Sequence, residues 1–195
     1  MQRFFYIGIH AAFVSAVLIP IFFLFQKRIR NGKRTALYCV LAIYLSAVFA
    51  VAGLPTVGYI RFDPNINLKP FAYMFSDFTN SFLNVVLFVP LGILLPLLWH
   101  RFQNPLRILC FGLMFSVGIE ILQLFTSRAT DINDLITNTL GALIGWVFGR
   151  IAVCFLHIPG ESGNKRDVCL IIFLAFGVMF FLQPVIEMLT WRLFV

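Results

Sequence analysis

The sequence predicts an all-α, polytopic transmembrane helical bundle of about six spans, with the N- and C-termini outside. Composition is the first observation behind this. Of 195 residues, 61% are hydrophobic and 12% charged, with a mean hydropathy of +0.93, whereas soluble domains carry about a quarter charged residues. The second is length, because several apolar runs reach the ~20 residues that cross ~30 Å of hydrocarbon. In lipid, a helix satisfies the backbone of such a run internally. The third is charge placement. The basic residues behind the net charge of +7 sit in short loops between the runs, where they set orientation. No RNA or DNA motif and no polar domain accompany them, so nucleic acid is excluded as a partner. Residues 1–195 read as a single membrane-embedded domain.

The first span covers about Phe4 to Phe25. Its apolar run is too long for a signal-peptide core and lacks a small-x-small cleavage site, so it reads as a retained span. Lys27, Arg28, Arg30, Lys33 and Arg34 follow as the strongest positive loop, which the positive-inside rule makes cytoplasmic. The second span runs from about Thr35 to Leu54 and ends at Pro55. From Thr56 to Asp77 lies the longest loop, external by alternation and punctuated by Pro64, Asn65, Asn67 and Pro70. Its aromatics (Tyr59, Phe62, Phe71, Tyr73, Phe75) suit a segment lying in the interface.

The third span, about Ser81 to Trp99, contains Pro90, Gly92 and Pro96, which a membrane helix tolerates when neighbours satisfy the freed carbonyls. Arg101 and Arg107 mark the next inner loop, and the fourth span is about Ile108 to Phe125. After a short outer turn, Asp131 is placed to N-cap a fifth span reaching about Leu156, with Asp134 in its first turn, and both carboxylates favour the helix dipole. Arg150 snorkels toward the last inner loop, from His157 to Asp167, and a sixth span covers about Val168 to Leu189. Cys39, Cys110, Cys154 and Cys169 all fall near inner span ends, away from the side where disulfides form. No metal-type spacing links them, and they read as buried small hydrophobes.

Against this apolar background, Glu120, Gln123, Arg128, Asp131, Asp134 and Asn138 are concentrated in one stretch. Ionisable groups at membrane depth are costly and mark function by default. Glu120 and Gln123, three apart, share a helical face; Asp134, Asn138, Gly141 and Gly145 form one stripe of the fifth helix. Asn80 and Asn84, near the outer start of the third span, are placed to complete a three-helix ring. Gly141, Gly145 and Gly149 recur every four residues, a small-xxx-small face for close helix packing.

Arg128 lies between Glu120 and the pair Asp131 and Asp134. The structural reading is an ion-pair network that closes the outer turn. Three carboxylates against one arginine leave excess negative charge, so either one acid is protonated or a cation or basic group joins them. In the binding reading, Arg128, Asn84 and Asn138 grip an anionic head group, for which the guanidinium fork is suited. In the catalytic reading, Glu120 or Asp134 acts as general base, or Glu120, Asp131 and Asp134 hold a divalent ion through oxygen. No Ser-His or Cys-His pair supports a nucleophile. His10, His100 and His157 lie far apart. No cofactor is implied. Gln183 and Glu187 read as a solvated helix end.

NLKPF (Asn67 to Phe71), NVVLFVPLGILLPLL (Asn84 to Leu98), IEILQLF, a following arginine and DINDLITNTLGALIG together resemble the VanZ family of bacterial membrane proteins, over a core region of residues 66–149. By position, the family's polar pattern falls on Asn84, Glu120, Gln123, Arg128, Asp131, Asp134 and Asn138. The chain departs from it at Lys69, where an apolar residue is more usual. The resemblance implies a multi-pass protein of the bacterial cytoplasmic membrane, in a family whose named member is associated with low-level resistance to the glycopeptide teicoplanin.

Three functions remain open at this point. The first is an envelope protein whose outward-facing pocket binds an anionic head group. Arg128 would hold the anion and Asn84, Gln123 and Asn138 would donate hydrogen bonds. Its partners would be membrane lipids and a lipid-linked cell-wall precursor or glycopeptide. The second is an intramembrane hydrolase or transferase using Glu120 or Asp134. The third is a purely structural membrane partner protein.

Overall fold

The computed structural model describes residues 32–71, 77–156 and 165–194. The predicted first span, Lys27, Arg28, Arg30, His10, Tyr73, Phe75, His157 and the side chain of Glu187 lie outside the described residues. Among the described residues the fold is all-α apart from one short strand pairing. Four described helices are long and apolar enough to cross a membrane. The chain forms two compact units, residues 1–61 with 164–195, and residues 62–163.

In the first unit, helix α1 (Gly32–Ala52) packs against the helix Lys165–Phe194, which is α5 in chain order. Leu41, Leu45, Val48 and Phe49 on α1 and Ile171, Ala175 and Met179 on α5 are buried, and Phe49 meets Phe176 edge-on at 6.0 Å. Lys33 and Arg34, expected in a loop, lie in the first turn of α1, and Arg34 is buried. Basic residues are good helix formers, and no breaker separates Gly32 from Thr35. Gly53 ends α1 in the left-handed conformation at φ 63°, the glycine-favouring stop that precedes Pro55. In α5, Pro184 has no N–H to offer the Phe180 carbonyl one turn earlier. Val57 supplies it instead, its backbone N–H donating to Phe180 O at 3.1 Å. The loop after α1 is thus anchored at a helix defect. The apolar part of α5 is Ile171–Val185, shorter than the four spans.

The second unit holds β1 (Ile66–Asn67), α2 (Phe78–Leu98), a 3-10 turn (His100–Gln103), α3 (Pro105–Gln123), β2 (Thr130–Asp131) and α4 (Ile132–Leu156). Each helix start is capped by its own sequence. Asp77 accepts from Asn80 N at 3.4 Å, Asn104 from Leu106 N at 2.9 Å with Pro105 following, and Asp131 from Asn133 N at 2.8 Å. The predicted cap of the fifth span is therefore the cap of α4. The strands were not expected. They pair in parallel, Ile66 with Thr130 and Asn67 with Asp131, and so fasten the loop before α2 to the turn before α4.

The main seam of this unit joins α2 and α4. A Cβ on Gly92 would strike the Ala142 carbonyl oxygen and approach Trp146 N to 2.6 Å. One on Gly141 or Gly145 would strike the Val85 or Val89 carbonyl oxygen, and one on Gly149 would lie 2.7 Å from Pro96. The glycine stripe read in the sequence thus meets Gly92 and the carbonyls of α2 at backbone distance. A run of rings from Phe88 through Phe115, Phe111 and Phe102 to Trp99, with neighbouring centroids 5.2–6.2 Å apart, ties α3 and the 3-10 turn to α2.

The cysteines require a correction. None is in a disulfide, but Cys110, Cys154 and Cys169 are exposed on helix surfaces rather than buried. Lipid tails are as apolar as a protein core, so a small hydrophobe gains nothing by pointing inward.

Gly145→Ala should push α2 and α4 apart and destabilise the protein by about 1–3 kcal/mol, the usual cost of overpacking. Gly118→Ala, with nothing within 4 Å of its new methyl, should be neutral or slightly stabilising. Thermal unfolding of both variants in detergent checks this, and equal melting of the two would refute the backbone contact.

Candidate functional site

At one end of the second unit, three features converge: the start of α2, the end of α3 and the start of α4. All five described carboxylates of the unit, Asp63, Asp77, Glu120, Asp131 and Asp134, lie at this end, with Arg128 and Lys69.

Two of the acids hold the turn together. Glu120, buried at the end of α3, accepts the Asp131 N–H on Oε2 at 3.0 Å. Its backbone carbonyl accepts the Thr130 hydroxyl at 3.1 Å. Asp131 spends Oδ1 on the Asn133 N–H and Oδ2 on the Asn67 amide at 3.0 Å. Thr126 closes the same turn, donating its hydroxyl to Gln123 O at 2.9 Å and accepting from Arg128 N at 3.3 Å. Gln123 is buried beside it.

A strap of residues 62–71 is laid over this turn. Asp63 N–H donates to Leu124 O and Thr130 N–H to Asn65 O, both at 2.9 Å. At its far end, the Phe71 N–H donates to Asn133 Oδ1 at 2.6 Å. Phe71 holds φ 62° there, a conformation that costs a bulky residue roughly 1–2 kcal/mol and that this short bond offsets.

The remaining polar groups face the seam. Asp134, in the first turn of α4, is met by Asn84 of α2 and by Arg128, which lies within electrostatic reach of both Asp134 and Glu120. The Asn84 Nδ2 is turned toward the Asp134 carboxylate but does not reach it with good hydrogen-bond geometry. One turn along α4, Asn138 is 4% exposed and donates Nδ2 to Ser116 Oγ of α3 at 2.9 Å. Its Oδ1 has no partner. Among the described residues, no group of three His, Cys, Asp or Glu side chains is placed to hold a metal ion.

The structure thus brings Asn84, Glu120, Gln123, Arg128, Asp131, Asp134 and Asn138 to one end of the unit. Asn80 does not join them, since its residue is exposed and its backbone N–H serves the Asp77 cap. Asn67, Asn133, Thr130 and Ser116 complete the cluster without having been singled out as site residues. Asn67 stood in the NLKPF stretch, a usable signal. Nothing local marked Asn133, whose partner Phe71 is 62 residues away.

Asn133→Ala removes the acceptor of the Phe71 N–H. Losing a buried hydrogen bond costs about 1–2 kcal/mol, so amide exchange across residues 62–71 should quicken roughly tenfold, with the α2–α4 amides unchanged. Hydrogen-exchange mass spectrometry reads this directly; unchanged strap exchange would mean that Asn133 does not hold it.

The family model described as VanZ/LLP1 matches residues 13–153, from within the predicted first span onward. Protein VanZ of Enterococcus faecium is 38% identical over 82 residues, which cover 42% of this chain and 50% of that protein. The chain therefore spans about half the length of the curated relative it matches. No solved structure matches it. With more than half of its length matched by the family model, the chain belongs to the VanZ/LLP1 family.

Proposed function

We propose that this is a multi-pass protein of the bacterial cytoplasmic membrane, with about six spans and both termini outside. In this reading the acidic end faces outward and engages an anionic, lipid-linked head group such as a cell-wall precursor, lowering sensitivity to glycopeptides of the teicoplanin type. One observation carries the reading. The buried Asn138 Oδ1 has no partner, and the half-buried Asn84 points its Nδ2 at Asp134, itself within reach of Arg128, without a hydrogen bond of good geometry. Buried polar atoms are nearly always partnered, so a loosely held donor and an unpaired acceptor in one seam favour a polar group between the helices. Arg128 supplies the charge for an anion, and Asn84 the neutral donor. Asn138 differs from the sequence expectation, because its donor is already spent on Ser116 and its remaining end is an acceptor. A head group that carries both an anion and a hydroxyl or amide N–H fits this pairing.

A second reading has its own support. Glu120 and Asp131 are committed to backbone N–H groups of the turn and the α4 start, which favours a structural role for both. Asp134 is then the carboxylate left for chemistry, as the base of an intramembrane hydrolase or transferase.

A deletion strain complemented with wild type, Arg128→Ala or Glu120→Gln tests the first reading through teicoplanin and vancomycin sensitivity, with membrane abundance of each variant measured. Arg128→Ala at normal abundance should be as teicoplanin-sensitive as the deletion. A deletion strain no more sensitive than its parent would overturn the resistance role. If Arg128→Ala instead lowers only thermal stability, the cluster is structural.

Asp134→Asn separates binding from catalysis. Losing a general base costs ~10²–10⁴-fold in rate, which would erase the phenotype of an enzyme, whereas a binding site keeps most of it. A full phenotype in that variant removes the base role.

A further inference from the structure

The other end of the second unit carries no acid among its described residues. Arg101 lies in the 3-10 turn, Arg107 in the first turn of α3 and Arg150 near the end of α4. All three are gathered on that turn. Arg150 donates Nη1 to Gln103 Oε1 at 2.7 Å, and Arg107 reaches the Arg101 carbonyl at 3.4 Å. Arg101 lies with its guanidinium 4.6 Å from the Phe102 ring centroid. The turn itself is held rigid, because Trp146 donates Nε1 to Gln103 O at 3.3 Å and Phe102 is buried.

Helix length separates this end from the carboxylates. α2, with 21 residues, is ~30 Å long at 1.5 Å per residue, so no described acid of the unit neutralises the three guanidiniums. The Arg101 Nε is buried and has no hydrogen-bond partner. Gln103 and the Arg101 carbonyl each occupy only part of a guanidinium fork that carries five donors. A phosphodiester provides what is missing, a fixed anion with several acceptor oxygens that bind forks in pairs. Basic groups between spanning helices near a membrane surface are suited to such head groups.

We propose that Arg101, Arg107 and Arg150 form a binding site for the phosphate of an anionic phospholipid in the leaflet at this end. The site is independent of the acidic end and of the function proposed there. Lipid rather than free phosphate is favoured because the flanking surface is apolar, with Leu106 65% and Phe155 80% exposed beside the arginines.

The test is retention of lipid by the full-length protein, purified in a neutral detergent and exposed to an equimolar mixture of phosphatidylglycerol and phosphatidylcholine, with bound lipid counted by native mass spectrometry. Wild type should retain phosphatidylglycerol selectively. Selectivity should fall roughly fivefold for each arginine removed in Arg107→Gln and in Arg101→Gln/Arg150→Gln, and Lys69→Gln at the other end should leave it unchanged. Arg107 is exposed and its variant is expected to fold, so the result does not hang on the double variant. Equal retention of the two lipids by wild type, or undiminished selectivity in a folded Arg107→Gln protein, would overturn the proposal. So would complete displacement of the lipid by millimolar inorganic phosphate, which would make the ligand a soluble anion.

Discussion

Backbone contact between α2 and α4 is the constraint on which the rest of the second unit depends. In lipid, apolar side chains gain little by leaving the tails, so association falls to close packing and polar contacts. Gly92, Gly141, Gly145 and Gly149 allow the first, since a Cβ at any of them would run into the opposite helix. The same stripe of α4 continues as Asn138 and Asp134 toward its N-terminus. Gly141 rests on the Val85 carbonyl, and Asn84, the next residue back, is thereby set against Asp134. The polar site is the place where the glycine seam changes composition. Its rigidity is inherited from the packing below it.

The three carboxylates near Arg128 are chemically alike and structurally unlike. Glu120 and Asp131 each accept a backbone N–H, and Asp131 also takes the Asn67 amide. Both therefore stitch α3, the strap and α4 into one turn. Asp134 instead meets Asn84 and Arg128, with Asp131 and Asp77 as its acidic neighbours. A carboxylate that closes the backbone cannot be moved to serve a ligand without opening the turn, while one facing the α2–α4 seam can. Sequence spacing grouped the three acids together; geometry divides them.

The four described helices long enough to cross a membrane were legible, because hydrophobic runs bounded by prolines and charges correspond to helices regardless of tertiary context. Asp131 as a cap was legible for the same reason, since capping is decided within one turn. The glycine stripe announced a close contact but not its partner, which is Gly92 and the carbonyls of α2. The β1–β2 pairing and the Phe71–Asn133 bond were not legible. They join residues more than 60 apart, and in sequence Asn67 looks like any turn asparagine. Cys110, Cys154 and Cys169 misled for a physical reason. The rule that free cysteines are buried comes from proteins in water, and the outside of these helices is not a watery surface.

Charge along the second unit is segregated, with three arginines at one end and all five described carboxylates at the other. Moving one elementary charge through a membrane potential is worth about 2.3 kcal/mol per 100 mV, so an inside-negative potential favours the orientation that keeps the arginines inside. The positive-inside rule points the same way through a different mechanism, insertion rather than field. The proposed orientation rests on both. It has a chemical consequence, because each end then meets a different leaflet with a different sign of charge. An anionic head group is drawn to the arginine end by the whole local field. At the acidic end it must be held by Arg128 amid surrounding carboxylates, and that demands fixed geometry. Selectivity at the acidic end therefore depends on the seam that positions Asn84 and Asn138, whereas the arginine end asks for little beyond negative charge.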